Sequence, residues 1–259
     1  MVARSRWLPA LSKRVRATVE VNCKGVTAAA RRPLARRWPE TKIVFVDEPP
    51  GDAIPGEAAR FKAGMVVLGW RGHGTFRRLL AVSVSRRVAA PAQCPVLVMR
   101  EGAKAVRRFV VGFDGCPNSE RALEFLSSLE PGRGRSVVLV NVVQPVQTPA
   151  SVGRFPSSMR ASIRHQVAAL NEERRLEAQA TVAAGATRLE HSGWAAKGEV
   201  RLGAPLASLL EAVGEHRADV LMLGALAMSG LENALENALL GSVANGALDL
   251  APVPVLLVR

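Results

Sequence analysis

Two kinds of residue in this sequence are placed to meet a ligand, one able to accept hydrogen bonds and the other suited to a phosphate. One is a carboxylate. Asp114 follows a short apolar run in "RFVVGFDG" (108–115), with Phe113 before it and Gly115 making a tight turn after it. The other is a set of glycines. Gly224 closes "ADVLMLG", and beyond an irregular loop holding Gly230, the triplet Gly241, Ser242, Val243 opens a candidate helix. A helix start offers free backbone N–H groups and the positive end of the dipole, both suited to phosphate. Glycine lets the backbone come close, and the Ser242 hydroxyl adds a donor. Asn141 and Val142 end a further apolar run, "SVVLVNVV" (136–143).

A second glycine cluster lies earlier, in "MVVLGWRGHGTFRRLLAVSVS" (65–85), with Gly69, Gly72, Gly74 and the nearby His73, Arg77 and Arg78. It lacks the Gly-Lys-Ser/Thr of a P-loop and follows a late strand rather than a first one. Cys23, Cys94 and Cys116 stand far apart without a CxxC, the pattern of reduced thiols in a cytosolic protein. No His, Cys or Ser falls in a recognisable triad, and no metal-ligand spacing is present.

The elements that must carry these residues alternate. "RFVVGF" (108–113) reads as a strand, and "SERALEFLSSL" (119–129) as a helix opened by a Ser cap. "SVVLVNVV" is a second strand, and 161–186 a long helix with Ile163, Val167, Leu170 and Leu176 along one face. "EVRLG", "APLASLLEAVGEHR", "ADVLMLG", a helical segment and "VPVLLVR" complete the series. Strands that are nearly all apolar, alternating with helices, indicate a parallel sheet covered on both faces. Ligands of such sheets bind at the carboxyl ends of the strands, where the strand order reverses.

The chain also repeats itself. "SVSRRVAAPAQCPVLVMR" (83–100) matches "SVANGALDLAPVPVLLVR" (242–259), and "PPGDAIPGEAARFKAGMVVLG" (49–69) matches "APLASLLEAVGEHRADVLMLG" (204–224) without a gap. The offset is 155 before the glycine loop and 159 after it, so the second copy carries four extra residues there. Two tandem units follow, an incomplete one over 1–100 and a complete one over 107–259, joined near "EGAKAV" (101–106). By the offset, the first unit lacks the segments that would give it a first and second strand.

Composition limits the alternatives. With 48% hydrophobic residues over 259 positions, a real core can form. No apolar run is long enough for a transmembrane helix. The net charge is +13, and residues 1–40 supply ten Lys/Arg against two acids. Such a patch can meet nucleic acid or an anionic surface, but no DNA- or RNA-binding motif accompanies it, and a solvated basic face is the expectation.

Taken together, "VVGFDG", "LVNVV", "VVLGWRGHGTFRRLLAVSVS", "GSVANGAL" and the endings "CPVLVMR" and "VPVLLVR" resemble the universal stress protein family in a tandem arrangement. The resemblance implies a doubly wound parallel five-stranded sheet of order 3-2-1-4-5 with helices on both faces. It also implies pairing of units through their last strands and, in many members, ATP binding, alone or with Mg. ATP-binding members carry Gly-x2-Gly-x9-Gly-Ser/Thr for ribose and phosphates, with an Asp after the first strand near the adenine.

Both copies depart from that motif. In the first, Val82 stands where the glycine before Ser83 would be. In the second, Phe113, Asp114, Gly115, Val142, Gly224, Gly230, Gly241, Ser242 and Val243 are the candidate nucleotide-binding residues. There the loop is distorted, with five residues between Gly224 and Gly230 and ten before Gly241, and its Glu232 and Glu236 would repel phosphates. The expectation is a cytoplasmic, non-enzymatic stress-response protein that binds an adenine nucleotide in its second copy and associates through its last strands. The alternative is a member without nucleotide that acts through dimerisation or partner binding; an enzyme is the weakest of the three classes.

Overall fold

The computed structural model describes residues 2–5, 38–69, 78–102, 105–225 and 240–259. In chain order, the N-terminal copy gives β1 (Val2–Ser5), β2 (Val44–Asp47), α1 (Pro50–Phe61), β3 (Val66–Gly69), α2 (Arg78–Ala89) and β4 (Val96–Met99). The C-terminal copy gives β5 (Arg108–Gly112), α3 (Pro117–Ser127), β6 (Ser136–Val143), a 3-10 turn (Ala150–Arg154), α4 (Ser157–His191), β7 (Ala195–Leu202), α5 (Pro205–Glu215), β8 (Val220–Gly224), α6 (Ser242–Leu250) and β9 (Val255–Val258).

Seven strands form one sheet in the order β3-β4-β9-β8-β5-β6-β7. Within the C-terminal copy this is third, second, first, fourth, fifth, all parallel, the order that the family resemblance implies. The strands are apolar on both sides because helices cover both faces. One core unites Val110, Val140, Leu209, Leu221 and Leu248; the other unites Val111, Leu123, Leu139, Leu189 and Met222.

The two last strands meet inside the chain. β4 runs antiparallel to β9, with Val96 opposite Leu257 and Val98 opposite Val255. β4 also pairs with β3 and β9 with β8, so both hydrogen-bonding edges of each last strand are occupied within one chain. The pairing foreseen between last strands therefore takes place intramolecularly. Side chains reinforce it. Arg100, after β4, donates to the Leu248 carbonyl (2.7 Å) at the end of α6, and Arg259, after β9, donates to the Ala92 carbonyl (3.4 Å) just past α2. Arg100 thus satisfies a carbonyl in the last turn of α6, and Arg259 one in the loop that follows α2. Arg86 and Asp249 form an ion pair between α2 and α6.

The N-terminal copy is arranged differently among the described residues. β2, its third strand, lies outside the main sheet and pairs in parallel with β1. Among the described residues, no strand stands between β2 and β3 as β6 and β5 stand between β7 and β8. Instead an apolar cavity of about 540 Å³ separates them, lined by Val44, Val46, Ile54, Ala58, Phe61 and Val66. The "ATVEVNC" segment (17–23), the glycine-rich stretch 70–77 and Gly230 lie outside the described residues.

Two local expectations need correction. The long helix runs from 157 to 191, not 161 to 186, and Leu170 and Leu176 on its supposed core face are 43% and 53% exposed. Thirty-five residues of helix span about 52 Å, twice the roughly 26 Å of its eight-residue neighbours β6 and β7. Only the second half can lie on the sheet, and its buried face is Ala178, Val182, Gly185, Ala186 and Leu189. Small residues govern that contact: a Cβ on Gly185 would stand 2.8 Å from both Leu139 and Phe113. The second correction is the supposed cap at Ser119. α3 begins at Pro117, and Ser119 sits inside its first turn.

Candidate functional site

β5, β6 and β8 end side by side at the place where the strand order reverses. The helices that follow β5, β7 and β8 begin there too, with Pro117, Pro205 and Ser242 as their first residues. Parallel strands crossing over through helices make this convergence unavoidable: every helix start lies at the carboxyl edge of the sheet. Between the strand ends and helix starts is a cavity of about 580 Å³.

Asp114 enters it from the end of β5. The ladder continues one residue past that strand, where the Phe113 N–H donates to the Val140 carbonyl (2.9 Å) and buries the Phe113 ring. The chain then turns through Gly115 at φ +76, a left-handed value that favours glycine, into α3. The turn aims the Cys116 N–H at Asp114 Oδ1 (3.1 Å), and the Ser119 hydroxyl donates to the same oxygen (2.7 Å). Burial by itself would raise the Asp114 pKa, but these hydrogen bonds to the charged form outweigh it and hold the carboxyl below its ordinary value. The Cys116 side chain and the Asp114 backbone N–H also bond the carboxylate.

The opposite wall is the start of α6. Gly241 N–H donates to the Ala225 carbonyl (3.1 Å), fixing the helix start to the end of β8, and Asn245 Nδ2 donates to the Leu240 carbonyl (2.9 Å). Asn245 N–H closes the first helical turn onto the Gly241 carbonyl (2.9 Å). The residue at the helix start is glycine, which has no side chain to cap the N–H groups of this turn. Gly241 has φ −58, which any residue adopts, so its glycine is not demanded by backbone conformation.

Of the residues singled out in the sequence, Phe113, Asp114, Val142, Gly224, Gly241, Ser242 and Val243 line this single cavity. Gly115 makes the turn beneath it without lining it, and Gly230 is outside the described residues. Gly224 has a packing reason to be glycine: a Cβ there would stand 2.8 Å from the backbone of Asn118, at the start of α3. Sequence reasoning missed Cys116, Asn118, Gln144, Pro205 and Leu209 as lining residues, and Ser119 as the partner of Asp114. Three of these lay within or beside "FDGCPNS", and their spacing from Asp114 was the available signal. Pro205 and Leu209 come from a helix ninety residues away and had none.

None of the described histidines lines the cavity. The residues best placed to share a cation are elsewhere: ligand atoms of Glu199, Glu215 and His216 lie within 4.8 Å of one another. Arg201 already supplies positive charge there, bonded to Glu199 (2.6 Å) and paired with Glu215, while His216 Nε2 meets Glu199 (2.6 Å). This is an ion-pair network at the far end of α5, about 16 Å of helix from the cavity.

Comparison with known proteins agrees with the architecture. The model of the "Universal stress protein family" matches residues 4–100 and 105–259. A universal stress protein from Archaeoglobus fulgidus superposes with a TM-score of 0.64 at 16% identity, covering 100% of this chain and 86% of that one. A Pseudomonas aeruginosa protein of unknown function superposes with a TM-score of 0.59 at 14% identity, covering 90% of this chain and 77% of that one. At these identities the likeness is one of fold. None of the curated proteins matches the sequence.

Proposed function

The chain belongs to the universal stress protein family, and from that membership we propose that its C-terminal copy binds an adenine nucleotide in the strand-end cavity as a regulatory ligand. The observation that carries this reading is the juxtaposition of Asp114 and the Gly241-Ser242-Val243 helix start on opposite walls of one cavity. Its Asp114 would accept a hydrogen bond from the base or ribose. The N–H groups of Ser242 and Val243 would face phosphate, with Gly241 permitting the approach. Gly112, Val140, Val142, Leu209 and Leu223 give apolar surface for a base.

The role we assign is binding, not turnover. Among the described residues the cavity holds Cys116 but no histidine to activate it, and no paired acid and base. We assign no ligand to the N-terminal copy, because β3 is paired only with β4 among the described residues, with no strand on its other side to bring an Asp to its end.

Titration calorimetry of the full chain tests the reading. Wild-type protein should give saturable heat with at least one of adenosine, AMP, ADP or ATP. Gly241→Val, which copies the residue type at Val82, should abolish it by blocking the backbone approach. Silence of the wild type towards all of them would leave the alternative, a member that acts through partner binding without nucleotide.

A further inference from the structure

The excess length of α4 over the sheet forms an arm. From Arg174, bonded to the Gln144 carbonyl just past β6, back to Ser157 the helix runs about 26 Å. The chain leaving β6 returns along it: Asn171 grips the Val146 backbone, and Val152 in the 3-10 turn is buried beside the helix. The arm's charge is of one sign. Between Gln144 and Asn171 stand Arg154, Arg160 and Arg164, and no Asp or Glu. Its apolar side chains face water. Phe155 is 44% and Met159 49% exposed at the tip, and Val146 and Leu170 are exposed nearer the base. Met159, Ile163 and Leu170 fall within about 40° of one another around the helix axis, with Arg160 and Arg164 one turn apart along the flank of that stripe.

We propose that the arm of α4 docks on an anionic phospholipid surface. Phe155 and Met159 enter the boundary between headgroups and acyl chains, and Arg154, Arg160 and Arg164 meet lipid phosphates. A bilayer surface accepts a narrow convex tip without a matching groove, and it rewards apolar and basic side chains together. A nucleic acid backbone would use the arginines and leave Phe155 and Met159 in water. The acids of this helix, Glu172 and Glu173, begin only where the arm joins the body, so they stay back from the surface. The docking is peripheral, since no described helix is long and apolar enough to cross a membrane. It stands independently of the nucleotide reading.

The test is flotation of the full chain with vesicles of phosphatidylglycerol and phosphatidylcholine in equal parts, and with vesicles of phosphatidylcholine alone. The wild type should float with the mixed vesicles, stay behind with the neutral ones, and be released by salt. Arg154→Gln and Arg164→Gln should each lower partitioning about fivefold. Phe155→Ser combined with Met159→Ser should abolish flotation. Both positions are exposed, so the thermal transition of that double variant should match the wild type. Phe155→Trp should shift its emission to the blue on mixed vesicles, which locates the contact at the tip. Absence of flotation with mixed vesicles would overturn the proposal. Flotation undiminished in the double variant, or unshifted emission in Phe155→Trp, would overturn it in favour of the basic residues 1–40. Concentration-dependent dimerisation in light scattering, lost in the double variant, would overturn it by assigning the arm to a second copy of the chain.

Discussion

Asp114 is set by its neighbours more than by its own position. Its Oδ1 receives the Ser119 hydroxyl and the Cys116 N–H, which fixes the carboxylate and keeps it ionised. Ser119 is 4% exposed, so its hydroxyl has no ready water to replace that partner. Ser119→Ala should cost about 1 kcal/mol of stability at neutral pH, the usual net worth of one hydrogen bond. The sign of the pH dependence follows from the direction of the shift. A carboxyl whose folded pKa is depressed contributes stability above its unfolded pKa and loses it as pH falls through the folded one. The deficit of Ser119→Ala relative to wild type should therefore shrink below about pH 4. Urea unfolding at pH 7 and pH 3 measures it. An equal deficit at both values would mean that Ser119 acts through helix packing and not through the carboxylate.

At the scale of elements, the antiparallel seam of β4 and β9 holds the two copies together. Leu257 is 2% exposed, opposite Val96, with Arg100 reaching the Leu248 carbonyl of α6 and Arg259 the Ala92 carbonyl beyond α2. Burying a leucine of this kind contributes about 1.5–3 kcal/mol. A lysine in its place loses that and adds an unpaired buried charge. Leu257→Lys should thus destabilise by several kcal/mol, with loss of the cooperative transition or aggregation seen by light scattering. Lysine on an exposed strand face would leave both unchanged. The long helix α4 makes the opposite point. Its first half stands beyond the sheet, tied at the side by the Asn171 amide to the Val146 backbone (2.8 and 3.0 Å) and by Arg174 to the Gln144 carbonyl (2.9 Å). Those bonds keep the chain leaving β6 beside the cavity, which Gln144 lines.

For the whole molecule, the seven-stranded sheet is a shared structure. The N-terminal copy contributes β3 and β4 at one edge, and β4 finds its second partner only in β9. Its own third strand, β2, is parted from β3 by an apolar gap. Residues 1–100 expressed alone would expose Val96 and Val98, both buried here, with little in exchange. That fragment should show no cooperative thermal transition by circular dichroism. A sharp transition would mean that it carries a core independent of β9. Among the described residues, no helix is long and apolar enough to cross a membrane.

How much of this was legible in the sequence depended on how local the cause was. The apolar strands, the alternation with helices and the tandem offset follow from residue type and period. The sheet order and the pairing of last strands came only through the family resemblance, and the fold decided that "PVLVMR" pairs with "PVLLVR" rather than with a second chain. Asp114, Val142 and the Gly241-Ser242-Val243 start were visible because each ends or begins an element, and strand ends are where a parallel sheet opens. Other features were settled only by the fold. Leu170 and Leu176 fit a helical stripe, but whether a stripe meets a sheet depends on how far that sheet extends. Gly224, picked out for a ligand, lines the cavity, and only the fold shows that its missing Cβ also makes room for Asn118. Pro205 and Leu209 reach the cavity because a crossover brings their helix start beside β5. Sequence period records what a residue does within its own element; which elements come face to face is decided by packing among all of them at once.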